Sequence, residues 1–410
     1  MNRWAIAVAA IFLQIALGAV YAWSVFRDPL AKAFHWTVPQ ITLTFTVAVF
    51  ALGVAAFIGG LWTSKAGPRV VAMTGGFLYG LGVLLAAFTT QDRLWWLYLT
   101  YGVIGGTGLG FAYIVPIGVL VKWFPDKRGL MTGIAVGGFG VGALITAPVA
   151  TRLLQSVGVH QTFIYLGSTY LVVSVLAASF MKNPPEGFRP AGWQPTAAAK
   201  KGGARDYTLG EALASWQWWA LWLLLFINTS AGISLISQEA PLFRTLGGLT
   251  AAAAAGIVGV VAIGNAAGRV FWAWFSDLTS RKTAFAVIYL LQVALFWMLP
   301  NAHTAGSITL VAFLILLCYG GGFGTMPAFT ADYFGAKNYS SIYGLMLTAW
   351  GFASAFGPIL VAKMYASSGT YTPAMHLVAV ILLVSLILPI MVRPPQEATA
   401  PRTSPLASEA

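Results

Sequence analysis

The stretch "GNAAGRVFWAWFSD", residues 264–277, sets one arginine, Arg269, inside a segment otherwise apolar enough to cross a membrane. It belongs to an apolar block at 249–275, and eleven comparable blocks lie at 4–26, 38–62, 70–89, 94–121, 129–151, 160–181, 214–237, 283–302, 305–330, 340–365 and 371–392. Blocks of about twenty apolar residues span a hydrocarbon core as helices, whereas barrel strands alternate every second residue. Composition agrees: 58% of the 410 residues are hydrophobic and 8% charged, against roughly 25% charged in soluble domains. Mean hydropathy is +0.78. Forty-five glycines and sixteen tryptophans fit close helix packing and interfacial anchoring. The expected fold class is an all-α integral membrane protein with twelve transmembrane helices in two pseudo-symmetric six-helix bundles.

The longest polar interval falls between the sixth and seventh blocks. It predicts an N-terminal bundle over 1–181, a cytoplasmic inter-bundle loop over 182–213, a C-terminal bundle over 214–392 and a disordered cytoplasmic tail over 393–410. The halves read as diverged copies. "WFPDKRGLMTG" after the fourth block returns as "YFGAKNYSSIYGLMLTA" after the tenth, with Gly129 and Gly344 215 residues apart, and "WTSKAGPR" is mirrored by "WFSDLTSRK", with Ser64 and Asp277 213 apart. Duplicated bundles form a central site at their interface.

The net charge of +12 is scattered through short polar intervals without forming a tract, so no nucleic-acid partner is expected. With both termini cytoplasmic, the inner segments hold sixteen Lys and Arg and the outer segments six, Arg269 being the remaining one. That asymmetry follows the positive-inside rule. The expected location is the cell (inner) membrane. The first block, "WAIAVAAIFLQIALGAVYAW", is longer than a signal-peptide core and has no clear cleavage site, so it reads as a transmembrane helix. The lone Cys318 excludes an intrachain disulfide and a multi-cysteine metal site. No phosphate-binding loop, metal-ligand cluster or nucleophile with a matching base occurs, and no cofactor or enzymatic activity is expected.

Arg269 stands eight residues before Asp277, about 12 Å along a helix. An arginine there either snorkels to the headgroups or faces a cavity, where its planar fork suits a carboxylate. An arginine deep in a span costs at least about 2.5 kcal/mol unless it meets a cavity or partner, and that span has no acid to pair with it, which favours the cavity. Asn265, one turn earlier on the same face, is a substrate contact or a small polar helix contact. Tyr21, Tyr113, Phe139, Tyr319 and Phe323 lie in or near glycine-rich helix stretches, as cavity lining or as plain packing. Pro116 and Pro327 can interrupt the helix ladder where a cavity forms. Asp277, Arg281 and Lys282 read as an intracellular gate. Asp126 and Arg128 are either gate residues or part of a solvated loop. Glu239, Asp332 and His376 are structural or handle protons.

Several of these stretches resemble a known family. The duplicated plan with "FSDLTSRK" resembles the major facilitator superfamily. Within it, "YAWSVF" (21–26), "VKWFPDKRGLMTG" (121–133), "GNAAGRVFWAWFSD" and "FMKNPPEGFRP" (180–190) resemble the oxalate/formate antiporter family and related bacterial monocarboxylate transporters. The resemblance implies that Arg269 binds a carboxylate and that Tyr21, Tyr113, Phe139, Tyr319 and Phe323 line a central cavity. Three departures stand out. Trp350 occupies the place of the oxalate carrier's second cation, Asn265 that of the aspartate which carries the proton in animal relatives, and Ser64 that of the usual loop aspartate.

One cation implies one carboxylate. The expected function is secondary transport of small monocarboxylates such as lactate or pyruvate, by proton-coupled symport and alternating access, in a monomer. Arg269 would hold the carboxylate, Asn265 and the tyrosine hydroxyls the second oxygen, and Phe139, Phe323 and Trp350 the apolar end. The alternatives are a carboxylate anion exchanger and a non-transporting carboxylate sensor.

Overall fold

The computed structural model describes residues 2–190 and 205–395. Among them, twelve helices have the length and apolarity to cross a membrane, and no strand occurs. They are α1 (Arg3–Trp23), α2 (Leu43–Ala66), α3 (Pro68–Phe88), α4 (Leu94–Trp123), α5 (Gly129–Ser156), α6 (Gly158–Ala178), α7 (Trp216–Glu239), α8 (Gly256–Leu278), α9 (Arg281–Asn301), α10 (Ala305–Phe334), α11 (Tyr339–Tyr365) and α12 (Thr372–Met391). A bilayer core offers no water to backbone N–H and C=O groups, so each span satisfies them within its own helix.

The helix ends follow local chemistry. Thr304 accepts from the Ser307 N–H to start α10, and Ser280 accepts from the Thr283 N–H to start α9. Gly67, at φ +82°, makes the sharp turn between α2 and α3, a conformation open to a residue without Cβ. Several expected boundaries move. α5 continues to Ser156 and α10 to Phe334, beyond the apolar pattern that ended at 151 and 330, because polar residues such as Arg152 and Asp332 sit in a helix's last turn once it leaves the hydrocarbon. The 182–213 interval is not wholly loop: Thr208 and Glu211 form a capping box that opens a short helix, Leu209–Ala214. The Thr208 backbone N–H and hydroxyl, with Arg205 beside them, hold the Glu211 carboxyl below its ordinary value. Residues 191–204 of that interval and 396–410 of the expected tail lie outside the described residues.

Packing within each bundle rests on glycines. On α8 and α10, a Cβ added at Gly268 would collide with the Leu317 carbonyl oxygen, one at Gly320 with that of Asn265, and one at Gly324 with that of Arg269. Glycines four residues apart share a helix face and let two backbones touch, which is how membrane helices associate without a hydrophobic drive. The duplication repeats the device. Gly106 and Gly110 on α4 meet the carbonyl oxygens of Ala48 and Leu52 on α2, 214 residues before Gly320 and Gly324.

Between the bundles, α5 packs on α8 and α2 on α11. Here too small residues carry the contact: Gly133 lies against Ala273 and the Arg269 carbonyl, Gly140 against Ala266, Gly60 against the Ser340 carbonyl and Gly344 against that of Ala56. The core therefore sits in the two bundles and along one seam between them, and Arg269 is on that seam.

Gly268→Val forces a side chain into the Leu317 backbone and is expected to destabilise the protein by about 1–3 kcal/mol, the usual cost of overpacking. Gly259→Ala, where nothing lies within 4 Å, serves as the control. Thermal unfolding in detergent should show a lowered Tm for the first and an unchanged one for the second.

Candidate functional site

α8 carries Arg269 and Asn265 on one face, and α5, α10, α11 and the end of α1 surround them. Near Tyr21 the first span tightens from α-helix into a 3₁₀ segment, Ala19–Phe26, which turns that side chain into the space between the bundles. Arg269 is fully buried and Asn265 is 7% exposed. The Arg269 Nε donates to Asn265 Oδ1 at 3.4 Å, and its Nη1 donates across the seam to the Val136 carbonyl at 3.1 Å. Its Nη2 makes no hydrogen bond of good geometry, with the Tyr21 and Tyr113 hydroxyls close to the guanidinium. Among the described residues no carboxylate pairs with it.

In place of a counter-ion the guanidinium has aromatic faces. Its carbon lies 5.1 Å from the centre of the Phe323 ring, 5.6 Å from Phe139 and 6.0 Å from Tyr21. Such faces attract a cation through the ring quadrupole, by about 2 kcal/mol when the site is desolvated. The rings form one continuous cage. Trp350 meets Phe323 at 4.9 Å, Tyr113 at 5.7 Å and Phe139 at 5.8 Å, and Tyr319 joins Phe323 at 5.4 Å. The structure thus brings together all eight residues singled out for the substrate: Arg269, Asn265, Tyr21, Tyr113, Phe139, Tyr319, Phe323 and Trp350.

What the cage offers chemically is unpaired donors. The hydroxyls of Tyr21, Tyr113 and Tyr319, the indole N–H of Trp350 and Arg269 Nη2 are buried and make no hydrogen bond of good geometry, although the Tyr21 and Tyr113 hydroxyls lie near the guanidinium and the Tyr21 hydroxyl near that of Tyr319. Buried polar groups are hydrogen-bonded in most proteins, so a convergent set of unpaired ones marks a place for a ligand with acceptor oxygens. Sequence reading missed part of this set. Tyr343 is fully buried with an unpaired hydroxyl and interacts electrostatically with Tyr113 and Arg269. The helix is interrupted at Leu347, between Tyr343 and Trp350, so spacing along the chain does not by itself bring the two together. Val136 acts through a backbone carbonyl, for which no side-chain signal exists.

At the end of the bundles that carries the α4–α5 and α8–α9 connections, Asp277 joins the halves. Its Oδ2 accepts from the backbone N–H of Leu130, in the first turn of α5, at 2.8 Å, and its Oδ1 accepts from Arg281 Nη1 at 2.5 Å. Arg281 also donates from Nε to Asp332 at 2.9 Å and from Nη1 to Ser276 at 2.6 Å. An anion at a helix N-terminus meets unsatisfied N–H groups and the positive end of the dipole. A Cβ at Gly129 would collide with the Asp277 carboxylate, so that glycine admits the contact. The expected gate is narrower than the sequence suggested. Asp126 pairs with Arg3 of its own bundle at 2.9 Å, and Lys282 donates to the Ile390 carbonyl at the end of α12 at 3.0 Å. Both are drawn off by nearer partners. The side chain of Arg128 lies outside the described residues.

Two six-helix bundles closed around a seam, with a caged cation at its centre, define a class, the membrane transporters built from two such halves. The chain belongs to the Major Facilitator Superfamily, whose sequence profile matches residues 4–329. It is 31% identical over 358 residues to an uncharacterised MFS-type transporter of Escherichia coli (strain K12), YhjX, covering 86% of each chain. It is 28% identical over 381 residues to the oxalate:formate antiporter of Oxalobacter formigenes, covering 90% of this chain and 87% of that one. The crystal structure of the E. coli fucose:proton symporter superposes with a TM-score of 0.73 at 16% identity, covering 95% of this chain and 100% of that one, which shows the same fold.

Asp277→Ala removes the charged acceptor from the α5 N-terminus, a hydrogen bond of about 1.5 kcal/mol, or roughly tenfold in population. Spin labels on cysteines placed at the exposed Lys127 and Leu278 should show the separated population of this end rising by that factor in pulsed dipolar spectroscopy.

Proposed function

We propose that this protein is a secondary transporter of small monocarboxylates of the lactate or pyruvate type, carrying one proton with each anion. The observation that supports it most is the buried Arg269 guanidinium, with no carboxylate paired to it among the described residues, clustered with the buried hydroxyls of Tyr21, Tyr113 and Tyr319. A carboxylate takes one oxygen to the guanidinium, and a 2-hydroxy or 2-oxo oxygen takes a hydroxyl or the Asn265 amide. Phe139, Phe323 and Trp350 then enclose a short apolar tail. A second carboxylate would find Trp350 instead of a cation, and an unpaired charge in a dry cavity costs several kcal/mol. In the orientation given by the positive-inside count, the Asp277 end faces the cytoplasm and its cluster gates that side. The bundles rock about the site, exposing it alternately to each side. A proton moving with the anion leaves no net charge to cross the membrane, which removes a cost of about 2.3 kcal/mol per 100 mV.

Purified protein in vesicles with an imposed pH gradient should take up labelled lactate or pyruvate. Arg269→Ala should abolish this uptake; unchanged uptake overturns the site. Trp350→Lys should strengthen competition by oxalate by about tenfold, or 1.4 kcal/mol. The kinship to an oxalate:formate antiporter favours exchange as the second reading. Exchange predicts uptake that requires internal carboxylate and ignores the pH gradient.

A further inference from the structure

The chain holds eleven acidic residues, and the described ones inside the fold are paired, with one exception. Asp126 is bound to Arg3, and Asp277 and Asp332 to Arg281. Glu239, at the end of α7 opposite the Asp277 gate, is 6% exposed, and its Oε1 has no hydrogen-bond partner. The α7 helix runs unbroken from Trp216 to Gly247, so positions seven apart share a face. Glu239 therefore lies on the face of Gly232, two turns further out, about 10 Å along the axis. A Cβ at Gly232 would enter the Tyr319 ring. Leu235 and Leu242, between and beyond on that face, are fully buried. The carboxyl thus stands above Tyr319, on the inward-turned side of α7, between the site and the outer end.

The helices packed on α7 are α8, α10, α11 and α12. At this end the titratable side chains on them, on their connections and on the rest of the α7 helix are Arg244, His303, Lys363, Tyr365, Tyr371 and His376. Arg244, His303 and Lys363 are exposed. Tyr365 stacks on Tyr371, whose hydroxyl donates to Gln238 at 3.5 Å, and His376 stacks on Trp297 at 4.1 Å. None of them pairs with Glu239.

From this placement we infer that Glu239 is the group that binds the coupled proton. The inference rests on the proton-coupled reading above. An ionised carboxylate buried without a counter-charge is unfavourable, and the same group is tolerated once water reaches it. A carboxyl on a helix that moves with its bundle meets outside water as a carboxylate when the outer side opens, and takes up one proton as that side closes and the water is lost. It gives that proton up when the inner side opens, past the unpaired Tyr319 hydroxyl, and the carboxylate is regenerated. Substrate contact stays with Arg269, so binding and proton transfer fall on separate groups.

The test separates exchange from gradient-driven accumulation, because exchange needs no proton to leave the carrier. Vesicles containing the full chain are given labelled lactate or pyruvate under a pH gradient of one unit, which sustains up to about tenfold accumulation for one proton per anion. In Glu239→Gln, accumulation above protein-free vesicles should vanish, while exchange against internal substrate keeps its wild-type rate and loses its pH dependence. Glu239→Asp should restore accumulation. His376→Gln, the other side chain at this end with an unpaired titratable atom, should accumulate as wild type does. Retained accumulation in Glu239→Gln overturns the inference, and so does loss of exchange along with it. Loss of accumulation in His376→Gln moves the proton site to α12 and overturns it as well. A wild-type carrier indifferent to the gradient sinks the coupling reading itself, before any variant is made.

Discussion

A guanidinium in a low-dielectric interior needs something to balance its charge, and at Arg269 the chain supplies only part of it. The Val136 carbonyl and the Asn265 amide oxygen offer dipoles, and Phe323, Phe139 and Tyr21 offer ring faces. None of these brings a full negative charge. The rest of the site follows from that deficit. Aromatic rings rather than aliphatic side chains surround the guanidinium, apolar in bulk and attractive to a cation at the face. The buried hydroxyls of Tyr21, Tyr113 and Tyr319 lie beside the same guanidinium.

The glycines make this arrangement possible. Gly320 and Gly324 hold α10 against the backbone of α8 at Asn265 and Arg269 themselves, so the two site residues sit where the helices are closest and their positions are set by backbone contact. The same contact on α2 and α4, 214 residues earlier, builds the other half. The seam uses the same device: Gly133 and Gly140 on α5, and Gly60 and Gly344 on α2 and α11, meet small residues and backbone carbonyls of the other half, with polar fastening where Asp277 meets the α5 N-terminus and Arg269 meets Val136.

Charge is treated in opposite ways along the axis. At the Asp277 end the charges are paired, with Arg281 bridging Asp277 and Asp332 in a short network. In the middle one cation is left without its acid, and toward the far end one acid, Glu239, is left without its base. Paired charges hold a surface together; single ones are free to exchange a ligand or a proton.

The sequence by itself determined the membrane class, twelve helices, the duplication and an arginine inside a span, because apolar length, internal offset and an arginine without an acid in its own span are properties of the chain order. It also picked out the eight side chains of the cage, since glycine-flanked aromatics and the resemblance to a transporter family mark them in one dimension. The tertiary structure decided what spacing along the chain does not carry. Val136 meets Arg269 through its backbone, and Tyr343 joins the site from α11. Asp126 and Lys282 stay out of the Asp277 cluster because Arg3 and the Ile390 carbonyl, 123 and 108 residues away, are their nearest partners. Likewise the sequence sets Glu239 beside Asp332 and His376 as structural or proton-handling, and only the packing of α7 against its neighbours takes its water away without giving it a counter-charge.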